Sequence, residues 1–425
     1  MKLPELLAPV GSVDHLKLAI FSGASSIYLS GKKFGARKYA ENFSLSEMKF
    51  AVKFAHIYNV KVFVTVNTLI KDNEIIEVMD YIFNLYKMGI DGILIQDVGL
   101  LNIVNNVFPD FSLHASTQMN IQNIDEIKWA KNNGISRIVL PRELNLNETK
   151  EMVEFAHSIG IEVEIFVHGA LCYSYSGRCL FSSLIGNRSG NRGDCAQPCR
   201  QKYQIAYGDN GDNKRIIQNN TISNSKNINN PISNNNINSD NKNNNNHKKR
   251  FNDNYAEEYL ISTKDLSLFN HLPELIELGV DSLKIEGRMR NKEYVSTVVK
   301  QYRIFLNQLK GSIYSKDKNK FNKYNNISNY KNNYNNISKK NFSKNNTSRK
   351  NISRKNSKND KKSNRINVNP GYGNYFNNEK YFDSKEKLNL VFNRNLTNGH
   401  LLSRDFQNIM SRSHPGHRGL FIGTI

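Results

Sequence analysis

Four cysteines are the residues of this sequence whose type and spacing point most directly to chemistry. They are Cys172, Cys179, Cys195 and Cys199, separated by six, fifteen and three residues, and the chain has no others. Cysteines that only fill a core would be scattered, so four thiols in one glycine-rich segment predict a metal or redox centre. Structural zinc prefers pairs two to four residues apart, as only the last two cysteines are. An iron–sulfur cluster tolerates uneven spacing, so the pattern favours iron–sulfur and leaves zinc as the alternative.

Polar and ionisable residues recur in and directly after short apolar segments, and they form the second group with chemical potential. Six of them are candidates to bind a substrate: Asn67, Gln96, Gln118, Arg142, Lys284 and Arg288. The cations among them suit carboxylates or phosphates, because arginine donates paired hydrogen bonds to either group. The catalytic candidates are Glu143, Glu164, His168 and Glu286, which could transfer protons or balance the cations. Two alternatives stay open: Lys284 and Glu286 could form an internal salt-bridge layer, and His168 could hydrogen-bond its own loop.

The elements that must position these residues repeat one pattern. An amphipathic helix is followed by a glycine or asparagine, which suits a helix C-cap, and then by a short apolar strand. Eight strands are expected, near Leu6, Ile27, Val62, Ile93, Leu113, Ile138, Val163 and Leu283. Apolar strands that alternate with helices indicate a parallel sheet covered on both faces, and eight such strands close a (β/α)8 barrel. A doubly wound open sheet is the alternative, but no Gly-x-Gly-x-x-Gly motif follows the first strand.

The composition shows a folded chain diluted by two inserts. Only 38% of the 425 residues are hydrophobic, compared with about 45–50% in ordinary globular domains. The difference comes from tracts rich in Asn, Lys and Ser at 208–253 and 311–368. Such sequence buries too little apolar area to fold, so both tracts are expected to be disordered. They carry +3 and +14 of the net charge of +21, so charge alone does not establish nucleic-acid binding. The barrel and its cysteine module are expected within 1–207, and the completion of the barrel within 254–310.

The last segment, 369–425, is expected to form a small β-rich domain. Apolar residues at 388–392 and 419–423 predict strands, with Asn398 and Gly399 as a turn between them. The sequence stops directly after the second of these strands, which indicates an incomplete domain. No run of eighteen apolar residues and no signal-peptide pattern occur, so we expect a cytoplasmic protein with no membrane partner. The oligomeric state is not predicted.

The residues around the first two cysteines resemble a known family. Residues 164–172 read Glu-Ile-Phe-Val-His-Gly-Ala-Leu-Cys, and residues 177–179 read Gly-Arg-Cys. This is similar to the signature of the collagenase-like peptidase family U-32, whose catalytic type is unassigned. The segments 4–9, 11–12, 40–43, 142–144, 262–266, 284–288 and 392–394 also resemble that family. The resemblance therefore spans essentially the whole sequence outside the two tracts.

The resemblance implies more than proteolysis. Relatives take part in hydroxylating a tRNA uridine, a ribosomal RNA cytidine and the ubiquinone ring, and several carry a 4Fe–4S cluster on this cysteine module. The resemblance therefore implies that Cys172, Cys179, Cys195 and Cys199 ligate a 4Fe–4S cluster. The members that act on RNA depend on prephenate, so RNA and a small carboxylate are the implied partners.

Three functions remain open at this point. The first is an iron–sulfur protein that supports hydroxylation of an RNA nucleobase in tRNA or rRNA. The second is a collagenase-like protease, for which Cys172 with His168 would form a nucleophile–base pair; no His-Glu-x-x-His or Gly-x-Ser-x-Gly motif occurs. The third is a non-catalytic iron–sulfur accessory or redox scaffold, which would need the cluster but no substrate cavity.

Overall fold

The computed structural model describes residues 3–207, 214–218, 258–314, 379–391, 393–402 and 406–411. The two Asn/Lys-rich tracts lie almost entirely outside these ranges, so their expected disorder stays a prediction. The strand expected over 419–423 also lies outside the described residues. Among the helices that are described, none combines the length and the apolar character needed to cross a lipid bilayer.

Eight parallel strands form a closed barrel, which confirms the eight strands predicted from the sequence. They are β1 (Glu5–Pro9), β2 (Ser26–Leu29), β3 (Lys61–Val66), β4 (Gly92–Ile95), β5 (Leu113–Ala115), β6 (Ile135–Val139), β7 (Glu162–Ala170) and β11 (Ser282–Ile285). Neighbours in chain order pair with one another, and β11 pairs with both β7 and β1, which closes the ring. An open doubly wound sheet is therefore excluded.

Helices connect the strands and cover the outside of the barrel. Between the strands lie α1 (Val13–Phe21), α2 (Leu45–Ile57), α3 (Ile75–Lys87), α4 (Val98–Val107), α5 (Ile124–Asn132), α6 (Leu146–Ser158) and α8 (Leu272–Glu277). The long helix α9 (Lys292–Tyr314) follows β11 and packs against α1. The other α-helices of the described ranges are α7 (Phe181–Gly186) in the cysteine module, α10 (Glu379–Leu390), which packs on α9, and the short α11 (Phe406–Ile409).

Local sequence explains where several of these helices begin and end. Ser44 and Glu47 form the expected capping box at the start of α2. The glycines that follow α1, α3, α5, α6 and α8 all have positive φ: Gly23, Gly89, Gly134, Gly160 and Gly279. Asn59 adopts the same left-handed conformation after α2. The glycines and asparagine of this pattern therefore mark the turns by which most of these helices lead into the next strand.

Apolar layers lie on both faces of the barrel sheet. Inside the barrel, Leu7, Tyr28, Phe63, Leu94 and Val139 pack together with Phe166. The alternate strand residues point outwards and pack against the helices in one large core. Because both faces of each strand are buried, the strands have the nearly continuous apolar sequences from which they were predicted.

Additional short strands extend the rim of the barrel. Strand β10 (Asp265–Ser267) pairs antiparallel with residues 168–170 of β7, and β12 (Leu396–Thr397) pairs with β10 in parallel. Strands β8 (Tyr203–Tyr207) and β9 (Lys214–Gln218) form a hairpin after the cysteine module. The end of β7 is thereby held in a sheet after it has left the barrel wall.

The strand predicted over 388–392 is wrong. Residues 379–390 form α10, and residue 392 lies outside the described residues. The buried side chains of this helix are Tyr381, Ser384 and Leu388, which follow the i, i+3, i+7 spacing of a helix face packed on a core. The apolar cluster that resembled a strand is thus the end of an amphipathic helix.

Candidate functional site

A cavity of about 380 Å³ opens at the carboxyl ends of the barrel strands. This is the end at which barrel proteins carry their chemistry. Six of the ten predicted catalytic and substrate-binding residues line it: Asn67, Gln118, Arg142, Lys284, Glu286 and Arg288. All four cysteines line it too, so the cysteine module covers the mouth of the barrel.

The cysteine module is fastened to two strand ends. The Glu143 carboxylate accepts hydrogen bonds from the backbone N–H of Ser176, at 2.9 Å, and from its hydroxyl. Gly177 has φ of +70° and lies so close to the turn after strand β5 that a Cβ at this position would be 1.9 Å from the backbone oxygen of Gln118. Glu143, predicted as catalytic, does not line the cavity and instead holds the loop between Cys172 and Cys179.

Arg200 ties the far end of the module to its beginning. Its guanidinium donates to the Leu171 oxygen at 2.8 Å, to the Ser262 hydroxyl at 2.9 Å, and to both the hydroxyl and the backbone oxygen of Thr263. Arg200 follows Cys199, and Leu171 precedes Cys172. One side chain therefore brings the first and last cysteines to the same region of the rim.

The four thiols share one environment, which is the requirement for a common inorganic centre. The pKa of Cys199 is raised to about 11, mainly by burial; Arg200 opposes the rise, and the neighbouring Cys172, Cys195 and Cys179 contribute to it. Within the described residues, no three Cys, His, Asp or Glu side chains are arranged as a closed set of metal ligands. The all-sulfur donors around one cavity fit an iron–sulfur cluster or zinc in type, and they would have to draw together around either.

The cavity floor carries an excess of cations. Arg37, Arg142, Lys284 and Arg288 line it, against the single carboxylate of Glu286. Arg37 lies 3.6 Å from Glu286, measured between a guanidinium nitrogen and a carboxylate oxygen. Burial by itself would raise the pKa of Glu286, but the nearby Arg37, Arg290 and Arg142 lower it overall. Glu286 is therefore an anion that organises this cluster.

Two of these arginines keep unused hydrogen-bonding capacity. Arg142 donates to the Ala170 oxygen at 2.7 Å and lies over the Phe166 ring, but its buried Nε has no partner. Arg288 is 5% exposed, one of its terminal nitrogens has no partner, and burial lowers its pKa to about 10. Buried donors are almost always satisfied, so these groups indicate an anionic or polar ligand in the cavity.

Glu164 lies below this cavity, in an ion network at the other end of the barrel interior. Its carboxylate accepts from Lys284 Nζ at 2.8 Å and lies 3.4 Å from Arg137. Arg137 also contacts Glu5 at 2.9 Å and Glu162 at 2.6 Å. Lys284 joins this network to the cavity, so the internal salt-bridge layer considered from the sequence is present for Lys284, with Glu164 rather than Glu286 as its carboxylate.

His168 and Gln96 are buried elsewhere and do not line the cavity. His168 faces helix α9, where its Nδ1 lies 3.2 Å from Tyr302 Oη, and burial lowers its pKa to about 3. His168 is therefore neutral at pH 7 and lies in the wall behind strand β7. No hydrogen bond joins it to a cysteine anywhere in the described residues.

Sequence reasoning missed Arg37, which contributes a cation to the site from the loop after β2. It missed Ser116 as well, whose hydroxyl accepts from Asn67 Nδ2 at 3.1 Å and so fixes a residue at the cavity wall. The Asn67 oxygen in turn accepts from the Ala36 N–H at 3.1 Å. A basic run, Lys32 to Lys38, directly after the second strand was the available signal for Arg37.

A closed (β/α)8 barrel whose strand ends are covered by a four-cysteine module defines the class of protein. A model of peptidase family U32 matches residues 11–354, and the chain belongs to that family.

Three relatives illustrate what the family contains. The chain is 35% identical to tRNA hydroxylation protein P1 of Bacillus subtilis, over 71% of this chain and 63% of that protein. It is 34% identical to the 23S rRNA 5-hydroxycytidine synthase of Escherichia coli, over 72% of this chain and 39% of that protein. It is 33% identical to an uncharacterized protease of Methanocaldococcus jannaschii, over 74% of this chain and 68% of that protein. The chain thus matches less than two thirds of the length of the first two relatives.

Proposed function

We propose that this chain is an iron–sulfur protein that supports hydroxylation of an RNA nucleobase, in tRNA or rRNA. The observation that carries the proposal is that all four cysteines line one cavity together with the polar strand ends of the barrel. Two of the relatives described above are named for RNA hydroxylation. Hydroxylation inserts one oxygen atom and removes two electrons from the base, so an oxygen donor is a required co-substrate.

The chain's own residues have defined tasks in this proposal. Cys172, Cys179, Cys195 and Cys199 would hold a 4Fe–4S cluster, with zinc as the alternative, and the cluster would supply electron transfer or a Lewis acid. Arg142 and Arg288, with their unused donors, would bind a small carboxylate such as prephenate. Asn67 and Gln118 would bind polar edges of the base. The module above them would exclude water from the cavity.

The arrangement does not favour proteolysis. A cysteine protease needs a base within hydrogen-bonding reach of the nucleophile. His168, the base considered for Cys172, faces Tyr302 on α9, and burial lowers its pKa to about 3, which makes it a weak base. The scaffold alternative is weakened as well, because a non-catalytic carrier has no need of a cavity lined by unpartnered arginine nitrogens.

The cofactor is tested by anaerobic purification followed by iron, sulfide and zinc analysis. We expect about four iron and four sulfide per chain. Changing Cys172 and Cys199 to Ser should abolish binding, while Ser189→Ala, in the same module but without a thiol, should retain it. Stoichiometric zinc without sulfide would contradict the iron–sulfur assignment.

The RNA function is tested by mass spectrometry of tRNA and rRNA nucleosides from a strain that lacks the gene. We expect one hydroxylated nucleoside to disappear and to return with the wild-type gene but not with the Cys172→Ser variant. Unchanged nucleosides would refute the hydroxylation role. Digestion of gelatin by the wild-type protein, lost in the same variant, would support the protease instead.

A further inference from the structure

The segment 173–180 of the cysteine module presents side chains to solvent that the proposed cluster does not use. Tyr173, Tyr175 and Leu180 are 48%, 59% and 60% exposed, and all three line the cavity mouth. Arg178 is exposed beside them and makes no ion pair with any of the described residues. Exposed aromatic side chains grouped around a cavity are typical of a binding surface.

This segment is firmly held even though its side chains are exposed. The Ser176 backbone and hydroxyl bind Glu143, and Gly177 packs against the backbone of Gln118. Arg178 N–H donates to the Tyr175 oxygen at 3.1 Å, which closes a turn within the segment. The two tyrosine rings are thus presented on a fixed backbone, which lowers the entropy lost when a ligand stacks on them.

The surroundings of the segment are basic. Residues 171–203 contain five Lys/Arg and one acid, and the loop at 30–43 contains four Lys/Arg and one acid. The two pieces are in contact, since Lys38 N–H donates to the Gly193 oxygen at 3.2 Å. Asp194 and three acids from outside the two pieces pair with several of these cations: Asp194 with Lys38 and Arg188, Glu74 with Arg192, Glu77 with Lys33, and Glu286 with Arg37. After these pairs are counted the rim still carries net positive charge, which complements a polyanion.

We propose that residues 173–180 receive unpaired nucleotides of the RNA, with Tyr173 and Tyr175 stacking on bases and Arg178 contacting a phosphate. The inference rests on the proposed RNA function and names the part of the substrate that this surface takes. A base that is still stacked inside a duplex cannot enter a cavity of about 380 Å³ recessed at the strand ends, so the target must be unpaired or flipped. Aromatic rings beside cations are the recurring means of holding such single strands.

The test compares binding of one labelled RNA as a single strand and as a duplex, by fluorescence anisotropy with the full chain. Changing Tyr173 and Tyr175 together to Ala should weaken single-strand binding about ten- to a hundredfold. Duplex binding should stay unchanged, because residues 311–368, with 16 Lys/Arg against 2 acids, attract either form through charge alone. The double change to Phe should restore binding, since stacking needs the ring and not the hydroxyl.

Arg178→Gln gives an independent measurement. Removing one phosphate contact should lower the slope of log affinity against log salt concentration by about 0.7 for a single strand. The matched controls are Tyr58→Ala and Lys128→Gln, exposed side chains on other faces of the barrel, and they should leave affinity and slope unchanged.

The outcomes separate this inference from the proposed function. If the double Ala variant binds the single strand with wild-type affinity, the inference is overturned. If a strain that expresses this variant still contains the hydroxylated nucleoside, the proposed function stands. If RNA binding depends on the two tyrosines but the deletion strain has unchanged nucleosides, the proposed function is refuted and residues 173–180 remain an RNA-binding surface. Binding of an acidic peptide is measured with the same variants. If the double Ala variant loses the peptide but binds the RNA normally, the surface takes a protein ligand and the inference is overturned.

Discussion

The two ends of the barrel interior differ in whether their buried charged groups have partners within the chain. At the lower end, Glu164 is surrounded by Lys284 and Arg137, and Arg137 by three carboxylates. Burial alone would lower the pKa of Arg137, but Glu164, Glu5 and Glu162 raise it overall. At the mouth, Arg288 and Arg142 retain buried nitrogens without partners, and burial lowers the pKa of Arg288.

This difference separates structure from function. A buried charge whose partners are all supplied by the chain makes the fold sensitive to their loss, because removing one partner leaves the other desolvated and unpaired. A buried charge with donors left over is held by the surrounding structure at an energetic disadvantage until a ligand completes it. We therefore expect changes at the lower end to affect stability, and changes at the mouth to affect binding.

The largest expected effect is at the lower end of the barrel. Glu164→Gln preserves the shape but leaves Lys284 without a carboxylate, so the free energy of unfolding should fall by about 3–5 kcal/mol. Urea denaturation followed by circular dichroism measures this loss. A fall below about 1 kcal/mol would show that Glu164 is not a structural partner and would reopen its assignment as a catalytic residue.

The second prediction concerns the attachment of the cysteine module to the mouth. Gly177→Ala should destabilise the module by about 2 kcal/mol, because its φ of +70° is strained for alanine and the new Cβ would overlap the Gln118 oxygen. The thiols of the metal-free protein should then react faster with a disulfide reagent.

Two glycines provide controls for that change. Gly186 lies in the same module with nothing within 4 Å of an added Cβ, so Gly186→Ala should leave thiol reactivity unchanged. Gly89 has a positive φ but equally open space, so Gly89→Ala isolates the conformational strain and should leave the thiols unaffected. If all three variants behave alike, the close packing of Gly177 on Gln118, in the turn after β5, does not hold the module.

His168 lies in the barrel wall, between the mouth and the lower end, and it should make stability depend on pH. Burial lowers the pKa of His168 to about 3, whereas a histidine in the unfolded chain titrates near 6.5. Between these values the unfolded chain binds the proton and the folded chain does not, so stability falls as the pH falls from 6.5 towards 3. The contribution is at most about 1.4 kcal/mol per pH unit. His168→Asn should reduce the slope, whereas an unchanged slope would contradict the buried, neutral state.

The comparison also explains which parts were accessible from the sequence. Strand and helix periodicity and the glycine turns identify a barrel because each signal is local. The positions of four residues at the mouth were predictable because each comes shortly after the end of a strand: Asn67, Gln118, Arg142 and Arg288. Arg37 was not predicted, because it lies farther beyond the end of its strand β2, in a loop where no periodicity places a side chain.

Four predicted site residues do not line the cavity, and for His168 and Glu164 the structure gives the reason. Strand alternation would turn His168 inwards with Phe166, but the pairing of β7 with β11 shifts its register between Lys284 and Ile285. A bulge of this kind re-aims a side chain and leaves no trace in the apolar pattern. Glu164 lies within β7, and the partners that mark it as structural come from β6 and β11, whose registers the sequence does not give.

The smallest effect on stability is expected at Arg288. Replacing it by Met removes a buried guanidinium whose capacity is only partly used, so the free energy of unfolding should change by less than about 1 kcal/mol, in either direction. Binding should respond instead, since the unpartnered nitrogen is the group offered to a carboxylate. Titration calorimetry with prephenate should show at least a tenfold loss of affinity in Arg288→Met, and Arg288→Lys should not restore it, because a point charge cannot replace a planar pair of donors. A large loss of stability with unchanged ligand binding would place Arg288 with Glu164 as a structural charge, and the contrast between the two ends of the barrel would no longer hold.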